Sequence, residues 1–256
     1  KELNSPSFFQ QTFNFFTFLI ENFFKMKPFR FQKFDIIQHE NVFRVGTDGV
    51  LLGALCQVEN AQKILEVGTG TGLISLMLAQ RNANAEITAL DLNEDAVKLA
   101  QENFKNALFS ERLNVFHQDF KIFESQKEYD FVVCNPPFFE ENNSVKDILA
   151  RQQVELTFRN LIEKASKILS SEGIFSVIIP SESAQEFENL AQDFDLHLVR
   201  KINIFGIENG SLKRNVLEFS KKKSALETLD FTIEKSPRKY SDQYLELTKE
   251  FHVFGK

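Results

Sequence analysis

The chain has 256 residues, 43% of them hydrophobic, which allows one large domain or two small ones with a sizeable core. Its net charge of -6 excludes indiscriminate attraction to nucleic acid, so any phosphate backbone it holds must be met by local clusters of Lys and Arg. Cys56 and Cys134 lie far apart and read as reduced core residues of a cytoplasmic protein, and the four histidines show no metal-ligand spacing.

Residues 1–25 are dense in phenylalanine (Phe8, Phe9, Phe13, Phe15, Phe16, Phe18, Phe23, Phe24). Their longest apolar run, Phe15 to Ile20, falls short of the ~20 residues of a membrane span, and no small-residue cleavage site marks a secretory signal. Met26 is a candidate natural start. The expected organisation is an extension over 1–25 with no assigned role, then a single domain over 26–256: an N-terminal cap (26–60), a core (61–223) and a C-terminal tail (224–256). Apolar and polar residues alternate from 28 to 45, which predicts short strands or a hairpin with Asn41 at a turn. Thr47 or Asp48 is then placed to cap a helix with an apolar face over Val50 to Leu55.

From Lys63 onward strand and helix patterns alternate. Strands are expected at Lys63 to Val67, Glu86 to Leu92, Leu113 to His117, Tyr129 to Asn135, Ile174 to Ile179, Leu196 to Phe205 and Asn215 to Phe219. Between them, Asn93 caps a helix carrying Val97, Ala100, Phe104 and Leu108 on one face. A second helix spaces Phe158, Leu161, Ile162, Ala165, Ile168 and Leu169, and Ser183 with Glu186 forms a capping box for a third. The succession predicts an α/β domain, a mostly parallel sheet with helices on both faces. The polar tail from Lys221 ends in a helix near Ser241 to Phe251.

Two motifs carry chemistry. Ile64-Leu65-Glu66-Val67-Gly68-Thr69-Gly70-Thr71-Gly72 runs from the first of these strands into a helix, and its glycines let backbone turn tightly against a ligand. A dinucleotide fingerprint needs its third glycine one residue later, where Leu73 stands, and Glu66 would repel a pyrophosphate but can accept from an ammonium. Asp91, at the end of the next strand, is placed to accept two ribose hydroxyls. Asp119 can accept from an adenine amine, with Leu92 and Phe120 flanking the ring. A ligand with a ribose and an amine but no phosphate is implied, and S-adenosylmethionine fits. The second motif, Asn135-Pro136-Pro137-Phe138, ends a buried strand. The Asn135 carboxamide oxygen and the Pro136 carbonyl can accept both hydrogens of an exocyclic amine, turning its lone pair toward a sulfonium methyl. The two prolines fix the backbone, and Phe138 offers a face for stacking.

These residues resemble the class I amino-methyltransferases, and more narrowly the bacterial valine-tRNA adenine N6-methyltransferases, which share the Val45 to Ala54 block, the helix after Arg151 and the Tyr240 to Phe254 tail. The resemblance implies a Rossmann-like fold with a seven-stranded sheet ordered 3-2-1-4-5-7-6, strand 7 antiparallel. It also implies methylation of adenine 37 of valine tRNA, with Thr47 and Asp48 against the methionine end of the donor. The departures are Phe138 where many relatives carry Tyr and the Phe-rich start. Methylation of guanine N2 in ribosomal RNA or of a protein glutamine stays open, as does a cofactor-binding RNA module without turnover. The expected partner is tRNA, held by the basic residues of Lys25 to Lys33 and Lys213 to Lys223 and by Arg151. A monomer without metal or membrane association is expected.

Overall fold

The computed structural model describes residues 26–125, 128–136 and 156–253. Strand β1 (Met26–Arg30) and β2 (Asp35–Gln38) form an antiparallel hairpin. Its turn closes where Phe31 N–H donates to the Phe34 carbonyl at 2.9 Å, so Asn41 belongs to the next turn, not to the hairpin. Helix α1 (Thr47–Leu55) follows. Gly46 is its N-cap and no side chain caps it, so Thr47 and Asp48 sit inside the first turn, where a carboxylate favours the helix dipole.

The core alternates β3 (Lys63–Val67), α2 (Leu73–Arg81), β4 (Glu86–Asp91), α3 (Glu94–Lys105), β5 (Leu113–His117), β6 (Tyr129–Cys134), α4 (Phe158–Ile168), β7 (Leu169–Pro180), α5 (Ala184–Gln192), β8 (His197–Ile207) and β9 (Leu212–Ser220). Asn93 caps α3, its side chain accepting from Asp95 N–H. The Ser183 capping box does not form. A 3-10 turn (Ser181–Ser183) runs straight into α5, leaving Ser183 in helical rather than extended backbone, with no capping hydrogen bond from its side chain. Leu169 opens β7 instead of closing α4.

The sheet order is β11-β10-β8-β9-β7-β6-β3-β4-β5. From β5 to β8 this is the expected 3-2-1-4-5-7-6, with β9 antiparallel to both neighbours. Among the described residues the sheet nevertheless has nine strands, not seven, because β10 (Glu227–Ser236) pairs parallel to β8 and β11 (Lys239–Tyr240) pairs antiparallel to β10. Left alone, β8 would expose a row of unpaired backbone groups, and β10 covers it. The tail is therefore part of the sheet, ending in helix α6 (Asp242–Thr248).

Strands β3 and β6 are apolar on successive residues because both faces are covered. Ile64 and Val133 join a core with α1, α2, α3 and Tyr244 of α6, whereas Leu65 and Val132 face α4 and α5. No helix among the described residues is long and apolar enough to cross a membrane. Near the end of the described chain, Gln32 N–H donates to the Phe251 carbonyl at 2.8 Å and its amide reaches the His252 carbonyl at 3.0 Å. His252 stacks on Phe31, so the last residues clasp the hairpin.

Candidate active site

The register of three strands builds the site. Val67 lies beside Leu90 of β4 and Cys134 of β6. The next residues, Gly68, Asp91 and Asn135, thus leave the carboxyl edge at one level, on both sides of the point where strand order reverses, the position at which open α/β sheets bind ligands. Gly68 and Thr69 N–H both donate to the Leu90 carbonyl, at 2.9 and 3.0 Å, clamping the glycine loop to β4.

Gly68, Gly70 and Gly72 have φ of 73°, 55° and 82°, a left-handed conformation unfavourable for other residues. Their surroundings differ. A Cβ on Gly72 would come within 2.5 Å of Phe104 Cε1, so this glycine lets α3 pack against the loop. At Gly68 and Gly70 no described residue lies within 4 Å of an added Cβ, so among the described residues this backbone faces open space that a ligand can occupy. Gly70 N–H donates to Asp91 Oδ2 at 2.8 Å, and Asn93 N–H to Oδ1 at 2.8 Å. The carboxylate is thereby fixed while each oxygen keeps a lone pair for a diol.

Glu66 is 1% exposed. Its Oε2 accepts from Thr69 Oγ1 at 2.7 Å, from Ser75 N–H at 3.1 Å and from the Ser75 hydroxyl, while Oε1, also buried, has no partner among the described residues. Burial pushes the carboxyl up to about 7, against the lowering effect of the Ser75 and Thr69 hydrogen bonds. Glu66 thus ties the loop to the first turn of α2, and only Oε1 is left for an ammonium. Asp119 caps a 3-10 turn (Phe120–Ile122), accepting from Lys121 N–H at 2.8 Å. Of the two residues expected to flank an adenine, Leu92 is 51% exposed, whereas Phe120 is 4% exposed and stacks on Phe123 within the core.

Thr47 is exposed, and Asp48 Oδ2 pairs with Arg214 Nε at 2.9 Å. Arg214 lies opposite Pro180 at the end of β7, so this pair pins the start of α1 to the same edge as Asn135. Asn135 is half-buried with no side-chain hydrogen bond to another described residue, and Pro136 is buried. Pro137, Phe138 and Arg151 lie outside the described residues. Burial holds the Cys134 thiol well above its ordinary range, so it is no nucleophile.

Sequence reasoning missed two connectors. Asn103 donates to the Thr71 carbonyl at 2.8 Å and exchanges hydrogen bonds with the backbone of Ile37, joining loop, helix and hairpin. An amide between Ala100 and Phe104 on the apolar side of α3 was its signal. The Arg214–Asp48 pair spans 166 residues and had none.

A family model described as methyltransferase small domain matches residues 33–206. A tRNA1(Val) (adenine(37)-N6)-methyltransferase of Flavobacteriaceae bacterium (strain 3519-10) is 51% identical over 230 residues, 90% of this chain and 100% of the relative. Its counterpart in Flavobacterium psychrophilum is 41% identical over 231 residues, covering 88% and 99%. The chain belongs to this methyltransferase family. Among solved structures, a predicted O-methyltransferase from Agrobacterium tumefaciens superposes with a TM-score of 0.65 at 19% identity, covering 80% of this chain and 96% of that one. A ribosomal protein L11 methylase from Lactobacillus delbrueckii gives 0.53 at 15%, covering 71% and 82%. Both share the methyltransferase fold.

The sheet also divides one basic cluster expected to serve this methyltransferase. Lys213 and Arg214 start β9 at the site edge, but Lys221 to Lys223 follow its far end, about 27 Å away at ~3.4 Å per residue. Lys221 there donates to the Leu169 carbonyl and Lys222 pairs with Glu172.

Proposed function

We propose that the chain transfers a methyl group from S-adenosylmethionine to the exocyclic N6 of adenine in tRNA, at position 37 of valine tRNA. The observation that carries this reading is the adjacency of two strand ends. The bared backbone of Gly68 and Gly70 leaves β3, and Asn135-Pro136 leaves β6 at the same level. The activity for which the relatives are named supports the choice of target.

The residues present fit the donor. Asp91 would hold its ribose, Asp119 its adenine amine beside Leu92, and Gly68 to Gly72 its backbone-facing side, with Glu66 Oε1 and the Thr47-Asp48 turn toward its methionine end. When bound, S-adenosylmethionine supplies an electrophilic methyl group on sulfonium. Asn135 Oδ1 and the Pro136 carbonyl accept the two hydrogens of the adenine amine, drawing its lone pair out of conjugation and aiming it. Phe138 stacks on the base and Pro137 keeps the backbone rigid. The proton leaves from the nitrogen once it is cationic, so the chain needs no strong base. Single-turnover transfer of labelled methyl to a valine tRNA transcript tests this, with guanine at position 37 as control. Equal reaction of both transcripts, or none with adenine, refutes it.

A further inference from the structure

We infer that Phe43 and Arg44 form a grip for unpaired RNA at the rim of the donor site, Phe43 stacking on a nucleobase and Arg44 meeting a phosphate. This rests on the tRNA reading above.

The loop carrying them is held from both ends. Val42 is buried against Ala96 and Leu99 of α3, and its N–H donates to the His39 carbonyl at 3.2 Å. Asn93, two residues beyond Asp91, donates its amide to the Asn41 carbonyl at 3.3 Å, and Asn41 reaches Asp95 at 3.4 Å. On the other side Val45 N–H donates to Gln38 Oε1 at 3.1 Å, and the chain then enters α1 at Thr47. A loop pinned at Asn41, Val42 and Val45 has no slack with which to tuck in Phe43, which is 81% exposed. Arg44 beside it is exposed and makes no ion pair among the described residues.

Position selects the occupant. The loop bridges the strand end assigned to the donor ribose and the helix turn assigned to its methionine end, so what crosses this rim toward Asn135 is the acceptor. A bared aromatic ring next to a guanidinium with no ion pair among the described residues matches the stacking and charge of single-stranded RNA. Of the carboxylates nearby, Asp95 is engaged with Asn41 and Glu94 with Lys98, while Glu40 is exposed on the other side of Asn41.

The test compares binding of a valine tRNA anticodon stem-loop to the full chain and its variants. Phe43→Ala should weaken binding about 5- to 150-fold, the loss of one base stack, and Phe43→Tyr should restore it. Arg44→Ala should reduce the slope of log affinity against log salt by about 0.7. Calorimetric affinity for S-adenosylmethionine should stay unchanged in all three. Unaltered RNA affinity in Phe43→Ala, or a loss of donor affinity instead, overturns the inference. A wild-type protein that binds the stem-loop without methylating it refutes the proposed target but leaves this comparison intact.

Discussion

Two glycines in one loop should fail in different ways when each gains a methyl group. In Gly72→Ala the new Cβ meets Phe104 Cε1 at 2.5 Å, and Phe104 is buried in the core shared by α2 and α3. Overpacking of that kind costs roughly 1–3 kcal/mol, and holding alanine at φ 82° adds about 1–2 kcal/mol. The total, about 2–5 kcal/mol, should lower the melting temperature of a chain this long by about 4–20 °C. In Gly70→Ala only the backbone cost of about 1–2 kcal/mol applies, because no described residue lies within 4 Å of its Cβ. That methyl projects where a ligand would lie on the loop, so donor affinity should collapse while the fold survives. Thermal melting with calorimetric titration of S-adenosylmethionine on each variant reads both effects. Equal melting temperatures, or Gly70→Ala binding donor normally, would refute the division between a packing glycine and a ligand-facing one.

Asp91→Ala should weaken donor affinity by at least about tenfold, since it removes charge-assisted hydrogen bonds to a diol; unchanged affinity in a folded variant would take Asp91 out of the site. Asn135→Ala should slow single-turnover transfer far more than it weakens tRNA binding, because the role proposed for its carboxamide is on the nitrogen as the bond forms, and a near-normal rate would sink that role. Glu66 titrates at about 7 in the fold, above its ordinary value near 4.5. Its contribution to stability is thus complete below about 4.5 and lost as pH rises through about 7, by up to roughly 3 kcal/mol. Glu66→Gln keeps an acceptor for Ser75 without the charge, so its melting temperature relative to wild type should climb between pH 5 and pH 8. A difference flat across that range would show that Glu66 stays ionised in the fold.

The parts of the chain readable from sequence are those governed by nearby residues. β3, β4, β5 and β6 end within a residue of expectation because a glycine, a proline or a capping residue follows each within two residues. The glycine loop and Asp91 were readable for the same reason. β10 was not, since Leu229, Phe231 and Ile233 alternate within a stretch crowded with charge, and the strand it pairs with, β8, is a partner set by topology. Phe120 carried no mark to tell a flanking ring from a core ring; its inward turn is decided by Phe123 and α4. The failed Ser183 capping box likewise depends on the preceding turn being helical.

The clasp between the hairpin and the last described residues sets an order of events. Gln32 and His252 are 220 residues apart, so their contact closes a loop that encompasses the whole sheet. On a ribosome, β3 to β6 can pair and bury their faces while the partner of the hairpin is still unmade. The cap can seat only after residues 249–252 have left the exit tunnel. The hairpin that leads into the loop at 39–46 therefore gains its last contacts after the strand ends of the candidate site are in place, and a nascent chain should bind donor before it can grip RNA.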